Sequence, residues 1–120
     1  MIVAVLGASP NRERYSNRAV RMLVEHGHAV IPINPGQTEI EGLAVMPSLD
    51  HLDAGSVDTL TMYVGPERSD ALGASILRLA PARVIFNPGS ENPALAGELR
   101  AADIEVLEAC TLVMLRAGQF

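Results

Sequence analysis

The sequence predicts a single α/β domain over residues 1–120, with a doubly wound, mostly parallel sheet of five to six strands. Three observations lead there. Ile2–Leu6 reads IVAVL, an unbroken apolar run closed by Gly7, which marks a strand covered on both faces. A helical pattern follows, with Ala19, Val20, Leu23 and Val24 on one face and Arg18, Arg21 and Glu25 off it. A second apolar run, Ala29–Ile33, comes next, so residues 2–33 form the strand–helix–strand crossover that joins parallel strands.

The remaining elements repeat this alternation. The loop Gly7–Tyr15 is polar and turn-like, and the first helix is expected from Ser16, as N-cap, to His26. Tyr15 is placed to pack on Val20 as a staple, and Gly27 to end the helix. Gly36–Glu41 reads as a loop and Leu43–Met46 as a short strand. Asp58–Val64 is a further strand, after which Pro66 opens a helix that aligns Leu72, Ile76 and Leu79 and stops at Pro81. Val84–Phe86 is a strand. Asn92-Pro93 is an N-cap followed by proline at the first helical position, with Leu95, Ala96 and Leu99 on the helix it opens. Glu105–Leu107 is a short last strand, and Cys110–Leu115 a final helical turn or two. Strands alternating with helices imply a parallel sheet.

Composition narrows the function. At 120 residues the chain has the size of one domain, and 48% hydrophobic residues is too many for a disordered chain. No apolar run approaches the ~18 residues of a membrane span. A net charge of −5, with two Phe, two Tyr and no Trp, argues against nucleic acid as a partner, since phosphates call for a basic face and bases for stacking platforms. The single cysteine precludes an internal disulfide and suits a reducing, cytoplasmic setting. All nine basic residues are arginine, which removes Schiff-base lysines, lysine general bases and the lysine of a Walker A loop together.

In open parallel sheets, ligands sit outside the carboxyl ends of the strands, where strand order reverses. After the first strand this chain places Gly7, Ala8, Ser9, Pro10, Asn11 and Arg12, leading into a helix start at Ser16. Small residues let backbone approach an anion, and free N–H groups at a helix start attract it. Arg12, Arg14 and Arg18 can add charge-assisted bonds to phosphate oxygens. A nicotinamide dinucleotide would call for G-x-G-x-x-G and an acidic residue at the tip of the second strand. Here only Gly7 stands in the loop, the second strand ends Ile33-Asn34-Pro35, and no arginine lies between Arg21 and Arg68 to meet a 2′-phosphate.

The strings VLGASPNRERYSNRA, IPINP, GLAVMPSL, FNPGSENP and EACTLVMLRAGQF run nearly end to end and in one order. Together they resemble the small stand-alone coenzyme A-binding domain proteins, which are similar to the N-terminal domain of the succinyl-CoA synthetase α subunit. The resemblance implies a Rossmann-like domain that holds coenzyme A across its strand ends. By that analogy Gly7, Ala8, Ser9, Arg12 and Ser16 meet the phosphates, and Asn34 and Pro35 border the adenine and ribose. Tyr63, Val64 and Pro66 line the groove, and Asn87 and Pro88 close its far side. Relatives often carry lysine after the Asn-Pro of the second strand. Here that position is Gly36, which points to weaker affinity.

No catalytic or metal-binding constellation stands out. Cys110 reads as a small buried hydrophobe. His26 and His28 flank a glycine without further ligands at metal spacing, His51 with Asp50 and Asp53 reads as a loop cluster, and Glu91 as a loop or helix-start charge. The expected function is therefore binding of coenzyme A or an acyl-CoA by a non-catalytic or regulatory module. The alternatives are a small NAD(P)- or CoA-dependent enzyme and a subunit of a larger CoA-using complex. A homodimer or a protein partner is compatible with either.

Overall fold

The computed structural model describes all 120 residues. A five-stranded sheet forms the centre, with β1 (Ile2–Leu6), β2 (Ala29–Ile33), β5 (Thr59–Met62), β6 (Arg83–Phe86) and β7 (Glu105–Glu108) in the order β2-β1-β5-β6-β7. Every pairing is parallel. A small antiparallel hairpin, β3 (Glu39–Ile40) with β4 (Leu43–Ala44), stands apart from it.

The helices are α1 (Tyr15–Glu25), α2 (Pro66–Ser69), α3 (Gly73–Leu79), α4 (Pro93–Ala101) and α5 (Thr111–Arg116), with a 3₁₀ turn at Leu49–His51 and another at Asp70–Leu72. The alternation of side chains along β1 divides the core into two layers. Val3 and Val5 pack with Val20, Leu23 and Leu115 beneath α1 and α5. Ala4 and Leu6 pack with Leu60, Met62, Ile76, Leu79, Leu95 and Leu99 beneath α3 and α4. Burial on both faces explains why the central strands read as unbroken apolar runs.

The chain winds outward from β1 to β2, then crosses back to β5 on the other side of β1, so strand order reverses between β1 and β5. Gly7 follows β1 at this point. Its φ is +85°, and a Cβ there would lie 2.8 Å from the Tyr63 carbonyl oxygen and 2.9 Å from Val64 Cγ1. Only glycine lets the two strand ends come this close.

Several expectations need correction. β2 is an edge strand, exposed at Ala29 and fully covered only at its end. Its Pro32 is tolerated because that residue's backbone faces the outer edge, where the Pro32 carbonyl accepts from the Met46 amide at 3.0 Å. The expected loop Gly36–Glu41 contains β3, and the strand expected to reach Met46 stops at Ala44. Met46 makes only a single parallel bridge to Ile33. Glu41 and Gly42 form the two-residue turn between β3 and β4, both with positive φ (51° and 77°).

The long helix expected after Pro66 is broken at Asp70–Leu72. There Asn92 Nδ2 donates to Ser69 Oγ (2.9 Å) and Asp70 Oδ1 (2.8 Å), tying the segment to the start of α4. Asn92 caps α4 as expected, its Oδ1 accepting from the Leu95 amide at 3.1 Å, and Cys110–Leu115 resolves into α5. No helix is long and apolar enough to cross a membrane.

Candidate functional site

The carboxyl ends of β1, β2 and β5 open onto a polar cavity of about 400 Å³, lined by Gly7, Ala8, Ser9, Arg14, Tyr15, Ser16, Asn34, Pro35, Tyr63 and Arg68. Its floor is the loop after β1, and three side-chain or backbone ties hold that loop in shape. The Gly7 and Ala8 amides both donate to the Ile33 carbonyl at 3.2 Å. Asn34 Nδ2 donates to the Ala8 carbonyl at 2.8 Å. Asn17, fully buried within α1, donates from Nδ2 to the Ser9 carbonyl at 2.9 Å. These ties draw the Ala8 and Ser9 carbonyl oxygens into the protein's own bonding.

Helix α1 begins at Tyr15 and not at the expected Ser16, because Asn11 organises the turn before it. Asn11 Oδ1 accepts from the Glu13 amide (3.0 Å) and its carbonyl from the Arg14 amide (3.0 Å). Arg14 then occupies the cap position without any side-chain cap, and the first turn carries no acidic residue. The amides of Tyr15, Ser16 and Asn17 have no acceptor within the chain. An uncapped helix start, small loop residues and the guanidinium groups of Arg14 and Arg68 thus meet at one cavity, an arrangement suited to an anion.

A second cavity of about 470 Å³ adjoins the first and shares Tyr15 and Tyr63 with it. Asn87, Pro88, Cys110, Leu112, Val113, Arg18 and Arg116 complete its lining, which is more apolar. Beneath it lies a buried polar network. Asn87 Nδ2 donates to Thr61 Oγ1 (2.7 Å) and the Met62 carbonyl (2.9 Å), and its Oδ1 accepts from the Thr111 amide (2.9 Å). The Thr61 and Thr111 hydroxyls bond each other at 2.8 Å, and Ser90 Oγ donates to the Met62 carbonyl at 3.0 Å. Tyr63 points its hydroxyl inward, where it is buried without a hydrogen-bond partner. Burial pushes its pKa up, an effect that the nearby Thr111 and Thr61 hydroxyls only partly oppose.

Of the residues expected at the site, Gly7, Ala8, Ser9, Ser16, Asn34, Pro35 and Tyr63 gather around the first cavity, and Asn87 and Pro88 around the second. Asn87 is almost fully buried and acts mainly as internal scaffolding. Val64 is buried below, in a small cavity of about 140 Å³ beside Pro35 and Leu72. Pro66 opens α2 and lines none of these cavities. Arg12 turns away: its Nε lies 3.7 Å from Glu41 Oε2, and its carbonyl accepts from Arg21.

Sequence reasoning passed over Tyr15, Arg68 and Cys110 as lining residues. Tyr15 makes no staple. It is 67% exposed, with the Arg18 guanidinium 5.5 Å from its ring centroid. Cys110 is half-buried at the head of α5 and faces the second cavity. Arg68 carried a usable signal, since it stands in the first helical turn after a strand end. His51 bonds Ser48 Oγ at 3.0 Å, Glu91 accepts from the Gly89 amide at 2.8 Å, and no metal-binding cluster is present.

The model of the CoA binding domain family matches residues 2–116. The chain belongs to that family. Among solved structures, this CoA-binding-family chain is similar to a crystal structure titled only as an uncharacterized protein, at 39% identity over 99% of this chain and 97% of the other, with a TM-score of 0.92. A Thermus thermophilus protein, cell-free ID.343, is 30% identical over 99% of this chain and 90% of its own, with a TM-score of 0.89. The dinucleotide-forming acetyl-coenzyme A synthetase 1 of Ca. Korarchaeum cryptofilum shares the fold at 21% identity and a TM-score of 0.76, over 90% of this chain and 25% of its own. No curated protein matches the chain.

Proposed function

We propose that this domain binds coenzyme A or an acyl-CoA across its two adjoining cavities, as a binding or regulatory module without chemistry of its own. The observation that carries the reading is the junction itself. An uncapped helix start with two arginines meets a more apolar groove at Tyr15 and Tyr63. Coenzyme A has that same division, with an anionic nucleotide at one end and a slender pantetheine arm at the other. The diphosphate lies on the Gly7–Ser9 loop, against the amides of Tyr15 and Ser16 and beside Arg14 and Arg68. Asn34 and Pro35 border the nucleoside. The pantetheine arm crosses Tyr63 and enters the second cavity past Pro88, with its thiol toward Cys110.

Fit is supported by the small residues Gly7, Ala8 and Ser9 along the first cavity and by the first-turn amides of α1 that lack acceptors. A non-catalytic role is supported by the chemistry of the lining. The side chains that could exchange protons there are Tyr15, Tyr63 and Cys110. Tyr63 keeps its proton near neutral pH because burial disfavours the phenolate.

Titration of coenzyme A into isotopically labelled protein, followed by amide NMR, tests the placement. Shifts are expected at Ser9, Tyr15, Ser16 and Asn34, with smaller ones at Cys110 and Val113. Saturable shifts confined to the opposite end of the sheet, around Met1, Asp58 and Arg83, would overturn it.

A further inference from the structure

The second cavity carries charge that the coenzyme A reading leaves unused. Arg18 on α1 and Arg116 on α5 both line it, from two helices that pack side by side. Neither guanidinium makes a hydrogen bond or reaches a carboxylate. The chain's two arginine–carboxylate pairs are Arg12 with Glu41 and Arg78 with Asp50. The two cavities together are lined by four arginines and no Asp, Glu or His, in a protein whose net charge is −5. On their far side both arginines border a shallow hollow with Arg21 and Glu25, whose carboxylate forms no ion pair with either, so the two like charges still favour an anion that reaches them from the second cavity. Planar guanidinium groups suit a carboxylate in particular, because they can bond both of its oxygens.

We propose that the second cavity selects acyl thioesters whose acyl chain ends in a carboxylate, held between Arg18 and Arg116. This rests on the coenzyme A reading, which directs the thiol end into that cavity. Cys110, Leu112 and Pro88 form the wall along which a short acyl chain lies. The two arginines stand where its far end emerges. A methyl terminus would leave both guanidinium groups to water. A carboxylate terminus engages them, and because both arginines are exposed the resulting preference weakens as salt rises.

The test is calorimetric titration of the full chain with coenzyme A, butyryl-CoA and succinyl-CoA, which compares two four-carbon acyl groups differing at the terminus. Succinyl-CoA is expected to bind at least about tenfold more tightly than butyryl-CoA at low salt, a difference of about 1.4 kcal/mol. The double variant R18Q/R116Q brings succinyl-CoA and butyryl-CoA within about twofold of each other. The double variant R18K/R116K keeps part of the preference. Both sites are exposed, so folding is retained, and a thermal melt verifies it.

Equal affinity for the two thioesters in the unmodified protein overturns the proposal while the coenzyme A reading stands. So does a double variant that weakens all three ligands alike and no longer distinguishes coenzyme A from dephospho-CoA, because the arginines would then hold the 3′-phosphate. Failure of the unmodified protein to bind coenzyme A at all overturns the reading and the proposal together.

Discussion

Replacing Asn87 by alanine should loosen the far wall of the site by unfastening α5 from the sheet. The side chain is 2% exposed and makes three hydrogen bonds, two given to Thr61 Oγ1 and the Met62 carbonyl and one taken from the Thr111 amide. Met62 keeps a bond from Ser90, so its carbonyl is not orphaned. The Thr111 amide has no other acceptor and Thr111 is fully buried. Two bonds at about 1 kcal/mol each, with an orphaned buried amide at about 1–3 kcal/mol, give a loss of roughly 2–4 kcal/mol after allowing for relaxation. At about 4 °C per kcal/mol for a chain of this length, Tm falls by roughly 8–16 °C. Urea unfolding gives the free energy directly. N87A and T61V should be non-additive, because both cut the same network. A loss below about 0.5 kcal/mol, or strict additivity, would show that the network does not hold the helix.

Three further outcomes follow from the geometry. Gly7→Ala combines a positive φ with a Cβ 2.8 Å from the Tyr63 carbonyl oxygen, so a loss of at least about 2 kcal/mol is expected in chemical unfolding. An unchanged midpoint would mean that β1 and β5 separate easily at their ends. R14A/R68A should weaken coenzyme A binding by about tenfold or more and flatten its dependence on salt, measured by titration at two ionic strengths. Undiminished affinity would remove these two side chains from the phosphate site.

The third concerns His28, which lies 3.3 Å from the terminal amine and edge-on to Phe120. Burial lowers its pKa, and the positive terminus, His26 and Arg83 lower it further. The unfolded chain therefore takes up the proton first. Stability contributed by neutral His28 is complete above the unfolded value of about 6.5 and is lost as pH falls below it. H28Q should flatten that part of the stability profile, and an unaltered slope would contradict the assignment.

Local signals carried much of the fold. The IVAVL run, the α1 periodicity and Asn92-Pro93 are written in neighbouring residues, and each element forms where its pattern lies. The β3–β4 hairpin was not legible because Glu41 stands where a two-residue turn with positive φ favours Asn or Asp. The break at Asp70–Leu72 depends on Asn92, some twenty residues away, which no local pattern reveals. The site divides in the same way. The small residues after β1 announce the first cavity. The outward turn of Arg12, the inward hydroxyl of Tyr63 and the half-buried position of Cys110 at the second cavity depend on neighbours brought in by Glu41, Thr61 and α5. Asn17 is the instructive case, since a buried polar residue inside a helix is intelligible only once the Ser9 carbonyl is beside it.

The most direct test of the coenzyme A site is native mass spectrometry of the purified chain with coenzyme A, NAD and NADP together at equal low-micromolar concentrations. A single coenzyme A adduct, lost in R14A/R68A, is the expected result. An adduct with either nicotinamide dinucleotide in its place, or no adduct from well-folded protein, would contradict the proposed function.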